Sequence, residues 1–136
     1  NGTITIIDST IADNESVGTS DTSGGGGLIN TGISATIINS TFSGNTAKNG
    51  GAIRNDTILN LINSTLSGNA ATFSGGGLSN TISLDTLFSS LFIELSSKNF
   101  TPSDISGTAQ ATITNSTITD NTAQATSGSG IANFAK

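Results

Sequence analysis

Apolar and polar residues alternate with a period of two along several short stretches of this chain. Ile4 and Ile6 flank a threonine, and Leu59 and Leu61 flank an asparagine. This period predicts β-strands with one buried face. Each stretch has too few apolar residues to form a core alone, so we expect the strands to bury these faces by stacking on one another.

Two motifs recur at a regular distance. The first reads (N/D)-S-T-(I/F/L)-x-x-N and begins at Asp8, Asn39, Asn63 and Asn115. The second reads G-G-(G/A)-(L/I)-x-N and begins at Gly25, Gly50 and Gly75, with a degenerate copy at Gly128. A period of about 25 residues built from short strands is typical of a solenoid whose successive coils pair as parallel strands.

The spacing divides the chain into coils. The last two copies of each motif are about two periods apart, which predicts a degenerate coil between them, and Phe92 and Ile105 occupy its expected apolar positions. We therefore predict an all-β fold, a parallel β-helix solenoid of about five coils in a single segment. The coils are approximately 1–30, 31–55, 56–80, 81–107 and 108–136.

The fourth coil allows a second interpretation. Residues 81–97 lack the Asn-Ser-Thr motif, and their apolar residues fall at helical spacing. A short amphipathic helix packed on the rod is therefore an alternative to a degenerate coil. The residues at this spacing are Leu84, Leu87, Phe88, Leu91 and Leu95.

Asparagine and glycine recur at the turns, where we assign them structural roles. Asparagine tolerates left-handed backbone, and its amide can bond the asparagine of the next coil, which predicts a ladder. A glycine corner allows a bend where a Cβ would clash. The ladder comprises Asn14, Asn45, Asn69 and Asn121, and the corners are Gly26, Gly51 and Gly76.

Composition excludes several kinds of chemistry. Ser, Thr, Asn and Gly make up more than half of the chain, which has no His, Cys, Met, Trp or Tyr. We expect no His- or Cys-based catalytic site, no metal site and no cofactor. The net charge of −5, with four Lys and Arg, argues against a nucleic-acid partner. The sequence also contains no apolar run long enough for a membrane-spanning helix.

The segments Gly50-Gly51-Ala52-Ile53 and Phe42-Ser43-Gly44-Asn45 resemble the paired GGA(I/L/V) and FxxN motifs of the polymorphic outer-membrane proteins of bacteria. More broadly, the chain resembles the right-handed, pectin-lyase-like parallel β-helices. The resemblance implies an extracellular or cell-surface location and adhesive use. The sequence departs from that family's pattern in showing no C-terminal membrane barrel.

Three features interrupt the repeat or extend it. Residues 15–24 form a polar insertion, either a tolerated loop or a binding element. A row of outward apolar positions is either a lateral interface or part of a core at a bend, and consists of Ile7, Ile38, Ile62 and Phe88. Candidate N-glycosylation sequons, several of which arise from the repeat itself, begin at Asn1, Asn14, Asn39, Asn55, Asn63, Asn99 and Asn115.

The sequence favours a non-enzymatic structural or adhesive rod, a scaffold or spacer of a surface protein or a subunit of an extracellular fibre. The pattern is uncapped at both ends, so we expect the rod to associate with itself or with further repeats of a longer chain. A carbohydrate- or ice-binding module is the alternative, with glycans as partners. A polysaccharide lyase or hydrolase is disfavoured, because no group of acids recurs beside the one arginine, Arg54.

Overall fold

The structure, a computed structural model, describes residues 2–20, 23–81, 109–125 and 128–133. Within these ranges all regular structure is β-strand, in four parallel sheets. The strands are short because each ends at a turn residue after two to five positions. The helix considered for residues 81–97 lies almost entirely outside the described residues.

The four sheets are named A to D, and their strands follow in spatial order. Sheet A contains β1 (Thr3–Ile7), β4 (Ser34–Ile38), β8 (Ile58–Ile62) and β12 (Gln110–Thr114). Sheet B contains β2 (Thr10–Ala12), β5 (Thr41–Ser43), β9 (Thr65–Ser67) and β13 (Thr117–Thr119). Sheet C contains β6 (Thr46–Asn49), β10 (Ala70–Ser74) and β14 (Thr122–Ala123). Sheet D contains β3 (Leu28–Asn30), β7 (Ile53–Asn55), β11 (Leu78–Asn80) and β15 (Ile131–Asn133).

The chain visits the sheets in the same order on each pass, from A through B and C to D. We call the passes layers, with their strands in residues 3–30, 34–55, 58–80 and 110–133. The first layer joins sheet C only through isolated bridges at Glu15 and Gly24. Stacked parallel sheets of this order are compatible with a β-helix or solenoid.

The core follows the predicted apolar columns. In sheet A, Ile6, Ile37, Leu61 and Ile113 are paired in register from one layer to the next. Side chains of the two middle layers are fully buried, whereas those of the first and last layers are partly buried. The fully buried set is Ala35, Ile37, Phe42, Ala52, Ile53, Leu59, Leu61, Leu66 and Leu78.

The register corrects the predicted order of the coils. Leu61 is the direct partner of Ile113, because β8 and β12 are hydrogen-bonded neighbours in sheet A. The same direct pairing joins β9 to β13 and β11 to β15. The prediction that residues 81–107 form a coil between these strands is therefore wrong. Its expected core positions, Leu87, Phe92 and Ile105, themselves lie outside the described residues.

Left-handed backbone occurs at three turn positions of each layer, one of which is the first glycine of the glycine motif: Gly25, Gly50, Gly75 and Gly128. The first residue of the Asn-Ser-Thr motif has φ near +50°, which explains why this position holds only Asn or Asp: Asp8, Asn39, Asn63 and Asn115. The second position lies one residue before the predicted ladder and is Asp13, Gly44, Gly68 and Asp120. The ladder asparagines themselves are not left-handed, so that part of their predicted role is wrong.

Candidate functional surfaces

The predicted ladder asparagines form one hydrogen-bonded row. The Nδ2 of Asn14 donates to Asn45 Oδ1 at 2.9 Å, Asn45 to Asn69 at 3.0 Å, and Asn69 to Asn121 at 2.9 Å. Each acceptor Oδ1 also receives the backbone N–H of the preceding asparagine. Asn45 and Asn69 are completely buried. Their amides therefore satisfy buried polar groups while linking the layers.

A second asparagine row runs along sheet D. The Nδ2 of Asn30 donates to Asn55 Oδ1 at 2.7 Å, Asn55 to Asn80 at 2.7 Å, and Asn80 to Asn133 at 2.8 Å. This ladder was not predicted from the sequence, although its signal was present as the final asparagine of the glycine motif. Both rows donate in the same direction along the stack.

The serine of the Asn-Ser-Thr motif supplies a third row. Each Oγ donates to the carbonyl two residues earlier, and those of Ser40, Ser64 and Ser116 accept the backbone N–H of the serine in the preceding layer. Ser40 and Ser64 are buried. The recurring Ser in the motif is thus explained by interlayer bonding, which sequence reasoning left unassigned. The row comprises Ser9, Ser40, Ser64 and Ser116.

The glycine corners leave no room for a side chain. A Cβ on Gly26 would meet backbone oxygens of Gly51 and Thr46, and a Cβ on Gly51 would meet those of Gly76 and Ala70. The same holds at Gly76, where the neighbours belong to the fourth layer. These positions require glycine because layers approach closely, not because of their φ angles.

The outward apolar row lies on sheet A, where Ile7, Ile38 and Ile62 are paired in register. Ile7 is 51% exposed, and the other two are partly exposed. The fourth position of this row is Thr114, while Phe88 lies outside the described residues. The structure thus leaves a short apolar stripe on the outside of sheet A rather than in a core.

The sequons differ strongly in accessibility. Asn55 is fully buried and its Nδ2 donates within the second ladder, so a glycan there is sterically excluded. The prediction of Asn55 as a glycosylation site is therefore wrong. Four sequon asparagines are exposed: Asn14, Asn39, Asn63 and Asn115. Asn1 and Asn99 lie outside the described residues.

Sheet D also holds a buried ion pair. Arg54 donates from Nε and Nη2 to the two carboxylate oxygens of Asp56, both at 2.9 Å, and the side chains are 4% and 3% exposed. Burial raises the pKa of the Asp56 carboxyl, and the hydrogen bonds and charge of Arg54 oppose part of that rise. The guanidinium and carboxylate occupy each other, so this pair presents no open reactive group.

The insertion forms one wall of a surface cleft. The cleft has a volume of about 410 Å³ and lies between loop residues 15–19 and sheet C, where Thr46, Lys48 and Thr72 contribute. Lys48 Nζ donates to the carbonyl of Thr19 at 2.7 Å, which ties the loop to the sheet.

Comparison with protein-family models, with curated proteins and with solved structures found no match to this chain. Across the described ranges, no cluster of three or more His, Cys, Asp or Glu residues could hold a metal ion. No helix among those same residues has the length and apolarity to cross a membrane.

Proposed function

We propose that the chain is a non-enzymatic parallel β-helix rod that serves as a structural or adhesive element outside the cell or at its surface. One observation carries this proposal. Core-facing side chains of the outermost layers are only partly buried or exposed, so each end of the described stack offers an incompletely covered apolar layer.

The exposure follows position in the stack. Ile4 is 42% exposed, whereas its sheet A partners Ala35 and Leu59 are completely buried. At the other end Ile131 is 41% exposed, whereas its partner Leu78 is completely buried. Core-facing positions of the same column are thus buried where a layer covers them on both sides and exposed at the ends of the stack. A further layer would bury both ends.

The end of the stack at β12 and β15 also has a suitable cavity. It measures about 440 Å³ and is lined by Leu78, Ile113 and Ile131 together with the ladder residues Asn80 and Asn133. This mixture of core and ladder residues matches the cross-section of a buried layer. The occupant we propose is another turn of parallel strands, from further repeats of the same chain or from a second copy.

The finer assignment of the fold rests on the order of the strands and on the family resemblance. A parallel β-helix would repeat the A-B-C-D order with every turn, and its parallel crossovers would be right-handed, as is the rule. The relation to polymorphic outer-membrane proteins, and with it the extracellular location, rests on the GGAI and FSGN segments quoted above.

Ice binding is the weaker alternative. Sheet B presents one complete outward column of threonines, Thr10, Thr41, Thr65 and Thr117. The second outward column of that sheet contains Ala12, Ser43 and Ser67 before Thr119. A regular two-column threonine face is therefore absent from sheet B.

Hydrogen–deuterium exchange of the native protein tests the rod. We expect the amides of β12 and β15 to be protected to a similar degree as those of β8, because a further layer covers them. Exchange at the rate of an open edge would refute the proposal. Electron microscopy of the same material then separates fibres, formed by second copies, from single rods formed by further repeats.

A matched pair of variants locates the contact. Ile131→Asp places a carboxylate on the exposed end of the core and should abolish the protection of β12 and β15. Ile29→Asp is the control, because Ile29 is 46% exposed and pairs with Arg54 on the alternate face of sheet D. Equal loss of protection in both variants would contradict the proposed contact.

A further inference from the structure

Sheet C is irregular on both sides of Lys48. In the first layer the chain is bridged to the sheet at Glu15 and Gly24, and the described residues between these two bridges form no strand. In the third layer β10 has one extra residue, so Thr72 and Phe73 together face Lys48. Two interruptions of an otherwise strict repeat therefore flank the strand of Lys48, one in the layer on each side of it.

The extra residue is a β-bulge, and it changes which side chains reach the surface. Alternation along β10 would bury every second residue, but Thr72 and Phe73 are both exposed, and Phe73 is 50% exposed. Bulges commonly re-aim side chains beside functional sites. Here the bulge exposes the aromatic side chain of Phe73, the neighbour in sequence of Thr72, which lines the cleft.

The cleft combines apolar and polar groups at a size suited to a small ligand. Its volume of about 410 Å³ falls within the range of ligand pockets. Val17 on the loop lines the cleft and is 79% exposed, Thr72 of β10 also lines it, and the next residue along β10 is the half-exposed Phe73. Exposed apolar side chains rimmed by polar groups are typical of a binding groove.

The polar groups of the cleft indicate the chemistry of the ligand. Thr46 and Thr72 supply hydroxyls, Glu15 a carboxylate and Lys48 an ammonium group. The two charges have opposite sign, so the cleft favours an uncharged partner. A pyranose ring has an apolar C–H face for the aromatic ring and hydroxyls for the polar groups.

We propose that this cleft binds an uncharged pyranose unit of a polysaccharide or glycan. Phe73 and Val17 would contact the apolar faces of the sugar, and Lys48, Glu15 and Thr72 would bond its hydroxyls. The inference deepens the adhesive part of the proposed function and rests on it. It also gives the insertion, left open as a plain loop or a binding element, the second of these roles.

Calorimetric titration of the full chain tests the site. The probes are the hexasaccharides of β-1,4-linked glucose, β-1,4-linked N-acetylglucosamine and β-1,4-linked mannose, with oligogalacturonate as the acidic comparison. We expect at least one neutral hexasaccharide to bind, and to bind more tightly than oligogalacturonate. Binding of none of them at millimolar concentration, or preference for the acidic chain, would overturn the proposal.

Variants place the binding at the cleft. Phe73→Ala and Lys48→Met should each weaken binding roughly tenfold, from lost stacking and a lost charged hydrogen bond. Phe73→Tyr should retain it. Ile7→Ala removes a similarly exposed side chain from sheet A and should have no effect. Binding unchanged by both cleft substitutions would show that the sugar lies elsewhere.

The two proposals fail separately. Phe73 is on the outside of sheet C, away from the layer ends, so Phe73→Ala should leave the exchange protection of β12 and β15 unchanged. Loss of sugar binding with intact protection would then concern the cleft alone. Unprotected edges together with cleft-dependent sugar binding would reject the rod and leave a sugar-binding module.

Discussion

Truncating a central residue of the first ladder should cost far more stability than truncating its end. Asn69→Ala removes four hydrogen bonds, two accepted by Oδ1 from Asn45 and two donated by Nδ2 to Asn121 and to the carbonyl of Phe42. At about 1 kcal/mol net for each buried bond, the free energy of unfolding should fall by about 4 kcal/mol.

The matched control is Asn14→Ala at the exposed end of the same row. Its side chain donates two hydrogen bonds, to Asn45 Oδ1 and to the carbonyl of Ala12, and water can replace both. The backbone N–H of Asn14 also donates to Asn45 Oδ1, and this hydrogen bond survives the substitution. We expect a loss of roughly 1 kcal/mol or less.

Urea unfolding followed by far-ultraviolet circular dichroism measures both variants. The slope of the unfolding free energy against urea must stay the same, because a changed slope would indicate partial unfolding of the stack. Equal losses for Asn69→Ala and Asn14→Ala would refute the argument. The ladder would then contribute no more in the buried layers than at the surface.

Three further predictions use the same measurement. Leu61→Asp buries a carboxylate in the core and should unfold the stack. Thr36→Asp on the outward face should lower the free energy of unfolding by roughly 1 kcal/mol or less. Equal losses of stability in the two variants would show that the inward register is wrong. Gly51→Ala should lower the free energy of unfolding by about 3 kcal/mol, because the new Cβ meets backbone oxygens. Gly68→Ala should lower it by roughly 1 kcal/mol, because its Cβ meets nothing and only the left-handed backbone is strained. The reverse order of losses would contradict the close approach of layers. Burial raises the pKa of the Asp56 carboxyl above 3.8, so the native state binds the carboxyl proton more tightly than the unfolded state does. This stabilisation is present below the unfolded-state pKa and is lost as pH rises through the folded-state pKa. The stability of the protein relative to Asp56→Asn should therefore increase as pH falls through that window, and a constant difference would contradict the prediction.

Much of the fold could be predicted because equivalent positions in successive layers have the same environment and are occupied by similar residues. Ile37 and Leu61 fall in one column of the sequence and pair directly in sheet A. Gly51 and Asn45 fall in columns for equally local reasons, a close backbone approach and an interlayer amide bond. Periodicity therefore identified the buried face, the corners and one ladder without knowledge of the pairing.

The order of the layers could not be predicted in the same way. The distance from Leu78 to Ile131 is about two periods, which led to the interpretation of residues 81–107 as an intervening coil. Strand pairing depends on side-chain fit and not on the number of connecting residues, and a long connection adds little closure entropy. Leu61 can therefore pair with Ile113 whatever the length of the connection between them.

The cleft could not be predicted from the sequence for a related reason. Pattern reasoning detects what recurs, whereas the bulge at Thr72 and Phe73 is a single extra residue in one layer, and the insertion after Glu15 occurs in another. They are separated by more than fifty residues in sequence, and only the pairing of both layers with the strand of Lys48 brings them together. The two departures from the repeat lie against the same strand, one in the layer on each side of Lys48. Their coincidence is the reason to look for a ligand at Lys48 rather than along the regular faces, where every layer repeats its neighbour.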